Sequence, residues 1–98
     1  MKAIFISFYQ AFYDEILEVL DKLEIRGFTA WQEVIGRGSE NGEPHYGTHA
    51  WPTLNSAMMV FLPDEKTAPL MKELHRLDET APEQGLHAFV MPVEEVSL

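Results

Sequence analysis

Ninety-eight residues, 46% of them hydrophobic, supply the apolar material for one domain built on a single core. Sixteen acidic against seven basic side chains give a formal net charge of -9, which repels a phosphate backbone and argues against nucleic acid as a partner. The chain has no cysteine, so disulfides and thiolate metal sites are excluded, and a metal would have to take histidine, carboxylate or thioether ligands.

The first ten residues, MKAIFISFYQ, hold a short apolar run interrupted by Ser7 and Gln10, unlike a secretory signal. No apolar run approaches the roughly 20 residues that span a bilayer, so the expectation is a cytoplasmic protein without membrane insertion. Residues 3–8 are apolar, β-branched and aromatic, which predicts a strand. Phe12, Ile16, Val19, Leu20 and Leu23 then recur at helical spacing, with Asp14, Glu15, Glu18 and Asp21 on the opposite side. This helix should end between residues 24 and 27, with Gly27 taking the left-handed turn.

Residues 28–35 read as a second strand in which Phe28, Ala30 and Val34 share a face and Trp31 points the other way, although Gln32 breaks the alternation. Residues 56–62 (SAMMVFL) form a nearly continuous apolar run, the signature of a central strand, closed by Pro63. A second helix could be capped by Asp64 or by Thr67. A Thr67 cap leaves Pro69 in the first turn, so a regular helix is expected from about Ala68, with Leu70, Met71, Leu74 and Leu77 inward, to about Thr80. A turn at 81–85 leads to a last strand at 86–91 and an acidic tail.

Between the second and third strands lies the stretch 36–54, GRGSENGEPHYGTHAWPTL. Four glycines and two prolines deny it either periodicity, yet it carries His45, His49, Tyr46 and Trp51. Long irregular loops in small domains are usually functional or disordered, so this loop is the natural candidate for a site. The order β-α-β, loop, β-α-β predicts an α+β fold of the ferredoxin-like split βαβ type (βαββαβ) in a single domain over 1–98. It has an antiparallel sheet with two helices on one face. The uncovered face, with Trp31, Ile35, Phe5 and Met59, calls for a homo-oligomer.

The run at 20–38, LDKLEIRGFTAWQEVIGRG, resembles the PII signalling proteins where their first helix ends, their second strand runs and their T-loop begins. The family's "I-x-G-[MF]-T" appears as Ile25, Gly27, Phe28 and Thr29, and its "E-V-x-G-x-G" as Glu33, Val34, Gly36 and Gly38. A "V-P-D-[DE]" pattern is echoed by Leu62, Pro63, Asp64 and Glu65. The resemblance covers nearly the whole chain and implies a regulatory homotrimer, with 36–54 as its T-loop. It departs at the nucleotide-binding "T-G-x-x-G-D-G-K" loop, which reads TAPEQGLH from Thr80 to His87, and in the tail, which supplies Glu94 and Glu95 instead of arginine. Adenine nucleotide binding is therefore not carried over. Tyr46 sits in His45-Tyr46-Gly47, unlike the family's modified "L-Y-R-G", so covalent modification is not carried over either. The stretch from Asn41 to Gly47, NGEPHYG, resembles the small PII-like proteins found with heavy-metal efflux systems of the resistance-nodulation type. That implies a partner such as a metal-efflux transporter or its regulator.

His45 and His49 stand four residues apart with Glu43 beside them, a spacing that can serve a divalent transition metal. In a PII-like trimer the start of the last strand lies near a neighbouring T-loop, so the resemblance adds His87 to this set. The plainer reading makes these polar loop and strand residues, with His75 on the exposed side of the second helix. Tyr46 and Trp51 are candidate anchors for a partner protein and Arg37 a candidate anion contact, against surface ion pairing of Arg37 with Glu33 or Glu40. Met58, Met59 and Met71 fall at core positions. No catalytic triad, phosphate loop or paired-carboxylate motif is visible. The leading expectation is thus a regulator whose loop binds a small effector. An enzyme using a loop histidine as acid or base, or a constitutive interaction module, is the alternative.

Overall fold

The computed structural model describes residues 1–36, 44–48 and 54–94. Strands β1 (Lys2–Tyr9), β2 (Gly27–Val34), β3 (Asn55–Leu62) and β4 (His87–Pro92) form one antiparallel sheet in the order β2-β3-β1-β4. Helix α1 (Tyr13–Lys22), entered through a 3-10 turn at Gln10–Phe12, links β1 to β2, and α2 (Asp64–Thr80) links β3 to β4. Each helix joins two strands that lie with a third between them, and right-handed crossovers return both helices to the same side of the sheet. This is the ferredoxin-like α+β arrangement.

Side-chain alternation sorts the two faces. Ile4, Ile6 and Phe8 of β1 and Met58, Val60 and Leu62 of β3 are buried beneath the helices. Phe12, Ile16 and Leu20 meet them from α1, Leu70 and Leu74 from α2, with Ile25 and Leu86 closing the ends. The partners of opposite parity, Phe5, Met59 and Phe61 with Phe89 and Met91 of β4, line the other face, joined by Trp31 of β2. There Trp31 is 49% and Phe89 58% exposed, so a wide apolar face stands open, as the strand patterns anticipate.

Three local details depart from expectation, each for a physical reason. First, the β2–β3 register slips between Trp31 and Val34: three steps along β2 match two along β3, from Ala57 to Asn55. The extra residue is a β-bulge, which reverses alternation, so Val34 joins Trp31 on the open face instead of sharing one with Phe28 and Ala30. Its carbonyl at Gln32 is fixed by the Ser56 hydroxyl, which donates to it at 2.6 Å.

Second, α2 begins at Asp64, three residues before the Thr67 cap, and Pro69 lies inside it. Two tethers hold this early turn: the Met1 α-ammonium pairs with Asp64 at 2.9 Å, and Lys66 Nζ donates to the Glu24 carbonyl at 2.8 Å. Asp64 and Glu65 also sit at the positive end of the helix, where carboxylates are favoured. Third, Gly27 is not the left-handed residue after α1. That role falls to Glu24, with φ of 57°. Ile25 N donates to Leu20 O at 2.9 Å and Glu24 N to Asp21 O at 3.0 Å, the paired bonds of a Schellman end. Gly27 instead opens β2 where a side chain would press on the Phe61 carbonyl, 3.2 Å from its Cβ position.

Two outcomes follow for stability. Left-handed backbone costs a non-glycine residue about 1–2 kcal/mol, and glycine's extra freedom when unfolded returns part of this. Glu24→Gly should therefore stabilise the fold by about 0.5–1 kcal/mol in urea unfolding, and an unchanged or lower midpoint would contradict the strain. The Met1 α-ammonium, by hydrogen bond and charge, holds the Asp64 carboxyl below the usual carboxylate range. A lowered folded pKa means that the unfolded chain binds the proton first as pH falls. Asp64 thus contributes stability above the usual carboxylate range and loses it as pH drops through the folded value. Wild type should exceed Asp64→Asn at about pH 6, and the gap should close near about pH 2; a gap of equal size at both would refute the pairing.

Candidate functional site

The base of the long loop is built, and its middle strand comes from the loop itself. Gly36 and His45 exchange two backbone bonds, Gly36 N to His45 O at 2.9 Å and His45 N to Gly36 O at 2.7 Å. Tyr46 then bridges to Leu54, whose carbonyl accepts from Gln10 N at 3.0 Å. Residues 45 and 46 therefore make a short rung between the end of β2 and the start of β3. Glycine is required at its corner: a Cβ on Gly36 would stand 2.6 Å from Asn55 Nδ2. Gly47 has a φ of 65°, in the left-handed region.

That rung drives the His45 side chain onto the end of the open sheet face, where it has no solvent exposure. Its Nδ1 lies 2.5 Å from Asn55 Oδ1, and its Nε2 lies 3.1 Å from Gln84 Oε1. Asn55, itself 2% exposed, donates through Nδ2 to Ser7 Oγ at 3.0 Å. The Tyr9 ring packs beside the imidazole, centroids 5.3 Å apart. Because Asn55 spends its NH2 on Ser7, its carbonyl faces His45, and Nδ1–H is the donor there. Nε2 then has two options: accept from the Gln84 NH2 in the neutral ring, or donate to Gln84 Oε1 in the imidazolium. A half-turn of the Gln84 amide serves either.

Gln84 comes from the 3-10 turn Pro82–Gln84, closed by Gln84 N to Ala81 O at 3.0 Å and Gly85 N to Pro82 O at 3.3 Å. Gly85 follows with a φ of 71°, which turns the chain into β4. The loop base, the central strand β1 and the turn before β4 thus meet on one histidine.

His87 opens β4 directly opposite Ser7, on the same end of the open face as His45. Its ring stacks near Phe89, and its Nε2 is buried without a hydrogen-bond partner among the described residues. Glu43, His49, Trp51 and Arg37 lie outside the described residues. Among the described residues, no three His, Asp or Glu side chains converge as a metal-binding group. Tyr46 is half-buried where it bridges Leu54, so its ring is partly withdrawn from any partner. His75 is exposed on α2 and, with His87, borders a cleft of about 240 Å³ between α2 and β4. Ser7, Asn55 and Gln84 are the site residues that sequence reasoning missed. Ser7 was signalled only as a polar interruption of the first apolar run and Gln84 as one more turn residue, while Asn55 fell between the loop and the third strand without a signal.

Comparison with known proteins sets this geometry in a family. The family model for nitrogen regulatory protein P-II matches residues 1–98. A search of curated proteins found no match. Among solved structures, CPII from Thiomonas intermedia K12, a nitrogen regulatory PII-like protein bound to ADP, AMP and bicarbonate, aligns with a TM-score of 0.74 at 20% identity. That alignment covers 92% of this chain and 82% of CPII. The apo form of CPII aligns with a TM-score of 0.69 at 17% identity, over 92% and 85% of the two chains. A PII-like signalling protein from Thermus thermophilus aligns with a TM-score of 0.64 at 18% identity, over 92% and 83%. Among the described residues no helix is long and apolar enough to cross a membrane. A four-stranded sheet in the order β2-β3-β1-β4, two helices on one face and a long loop at 36–54 agree with the family model over its full match, and the chain belongs to the P-II family of regulatory proteins.

Proposed function

We propose that this P-II family member is a cytoplasmic homotrimer. In this reading its loop at 36–54 changes conformation when a small effector binds at its base, and the loop then engages a partner protein. The open apolar face, with Trp31, Phe61, Phe89 and Met91, supports the assembly: three such faces turned to a common axis would withdraw it from water. The effector we propose is a divalent transition metal. One observation carries this choice: the buried Nε2 of His87 has no partner among the described residues, at the end of the sheet face that also holds His45. Imidazole nitrogen suits Zn, Cu, Ni and Co, and His45, His49 and Glu43 are the proposed further ligands. His45 could join only by giving up Gln84, which ties metal capture to the state of the loop base. Tyr46, Trp51 and Arg37 are the proposed partner contacts. The resemblance of Asn41 to Gly47 to the efflux-associated proteins makes a metal-efflux transporter or its regulator the proposed partner.

A second effector, an adenine nucleotide, has one observation in its favour: the related CPII was solved with ADP and AMP. Against it, the turn at 80–87 offers Glu83, a single glycine (Gly85) and no lysine to cradle phosphate. Catalysis is the weaker reading, because His45 has both ring nitrogens engaged and no described carboxylate is paired with His87.

Native mass spectrometry separates these readings. A species of three times 11.2 kDa is expected, and Phe89→Asp, which places a charge in the open face, should reduce it to single chains. A trimer that survives Phe89→Asp would refute the proposed packing. Titration with zinc should load close to one ion per chain, and His87→Ala should abolish that uptake while the trimer remains. Uptake of ADP with none of zinc, copper or nickel would replace the metal with the nucleotide, and a bare trimer would favour the constitutive module.

A further inference from the structure

We propose that His45 is a coupling strut: its imidazole makes the rung at Gly36 and His45 and the turn at 81–85 hold or lose their order together, so that displacing Gln84 opens the rung. This deepens the regulatory reading, but the coupling itself needs no effector to exist.

The two ends of the strut differ in stiffness. On the Nδ1 side, Asn55 is buried and pinned to Ser7 of the central strand, so that end is fixed to the sheet. On the Nε2 side, Gln84 is half-buried in a short turn whose own backbone bonds are local. The bond between them joins residues 39 apart in sequence. His45 cannot swing away from Gln84 independently, because its backbone is held by the two-bond pair with Gly36 and its ring by Asn55 at Nδ1. Loss of Gln84 would leave a ring nitrogen orphaned at a site with no access to water, and the relief available is to open the rung at 36 and 45 and let water in. Conversely, an opened rung takes away the partner that holds the Gln84 side chain against the sheet. Because the Gln84 amide can present either its oxygen or its NH2, the strut survives either charge state of the ring. It is therefore built to respond to displacement.

Hydrogen exchange of the full chain, without any added ligand, tests this. The amides of Gly36 and His45 each donate to the other residue's carbonyl and report the rung, while those of β1 and β3 report the core. Gln84→Met keeps the side-chain length and removes the polar contact. It should speed exchange at Gly36 and His45 about five- to tenfold, the effect of one net hydrogen bond, with β1 and β3 unchanged. His45→Phe should raise exchange in the Gln84 and Gly85 amides, and the double variant should show no more than the larger single effect at either place. Equal exchange at Gly36 and His45 in wild type and Gln84→Met overturns the coupling, as does a double variant whose effects simply add. Should His45→Phe lose its fold, β1 and β3 lose protection as well, and Gln84→Met, which alters a half-buried turn residue, decides alone. Coupled exchange in a trimer that takes up no metal or nucleotide would leave the strut standing and remove the effector reading. Effector uptake with uncoupled exchange would do the reverse.

Discussion

A strand presents side chains to two sides, and the two helices of this chain can cover only one. Most of the molecule follows from that constraint. Right-handed crossovers from β1 and from β3 send α1 and α2 to the same side, so Ile4, Ile6, Phe8, Met58, Val60 and Leu62 are dry while their neighbours of opposite parity remain open. The open side is not polar, as a solvated antiparallel sheet would be, but carries Phe5, Met59, Phe61, Phe89, Met91 and Trp31. With a core on one side and an interface in waiting on the other, the same alternation is divided between folding and assembly. The long loop leaves from the end of this open side, where the polar group of Ser7, Asn55, His45 and Gln84 interrupts the apolar field.

Much of this was legible in the sequence, because it rests on periodicity. The four strands, the two helices, their order, the inward residues of both helices and the exposed sheet face all follow from spacings of two and of three to four. The departures arise where a local preference competes with a tertiary contact. A Thr67 cap is the better local solution for a helix that contains Pro69, but the Met1 ammonium and the Lys66 bond to Glu24 reward an earlier start. Glycine is the better local choice for a left-handed residue, yet Gly27 is needed flat against Phe61 and Glu24 takes the strain. Gln32 marked a break in alternation, but a single polar residue does not say that the chain bulges there.

The candidate site was legible in part. His45 stood out by residue type. Its actual partners did not stand out, because Ser7, Asn55 and Gln84 are separated by tens of residues and look like ordinary strand and turn positions. A buried polar group is defined by which atoms satisfy one another, and that pairing is a property of the folded chain. The loop's ordered rung was hidden for a related reason. Two residues at 45 and 46 are too few to show any period, and they are strand-like only because Gly36 and Leu54 flank them.

The bulge between Trp31 and Val34 also sets which parts of this chain can change length. Beyond Gly36 the backbone returns through the rung at 45 and 46. Between Trp31 and Val34 the count is rigid. Removing one residue there would restore simple alternation, carry Gly36 to the helix side of the sheet, and separate it from Asn55, which its missing side chain now admits. A single-residue deletion in the bulge just upstream would thus detach the loop base from its anchor.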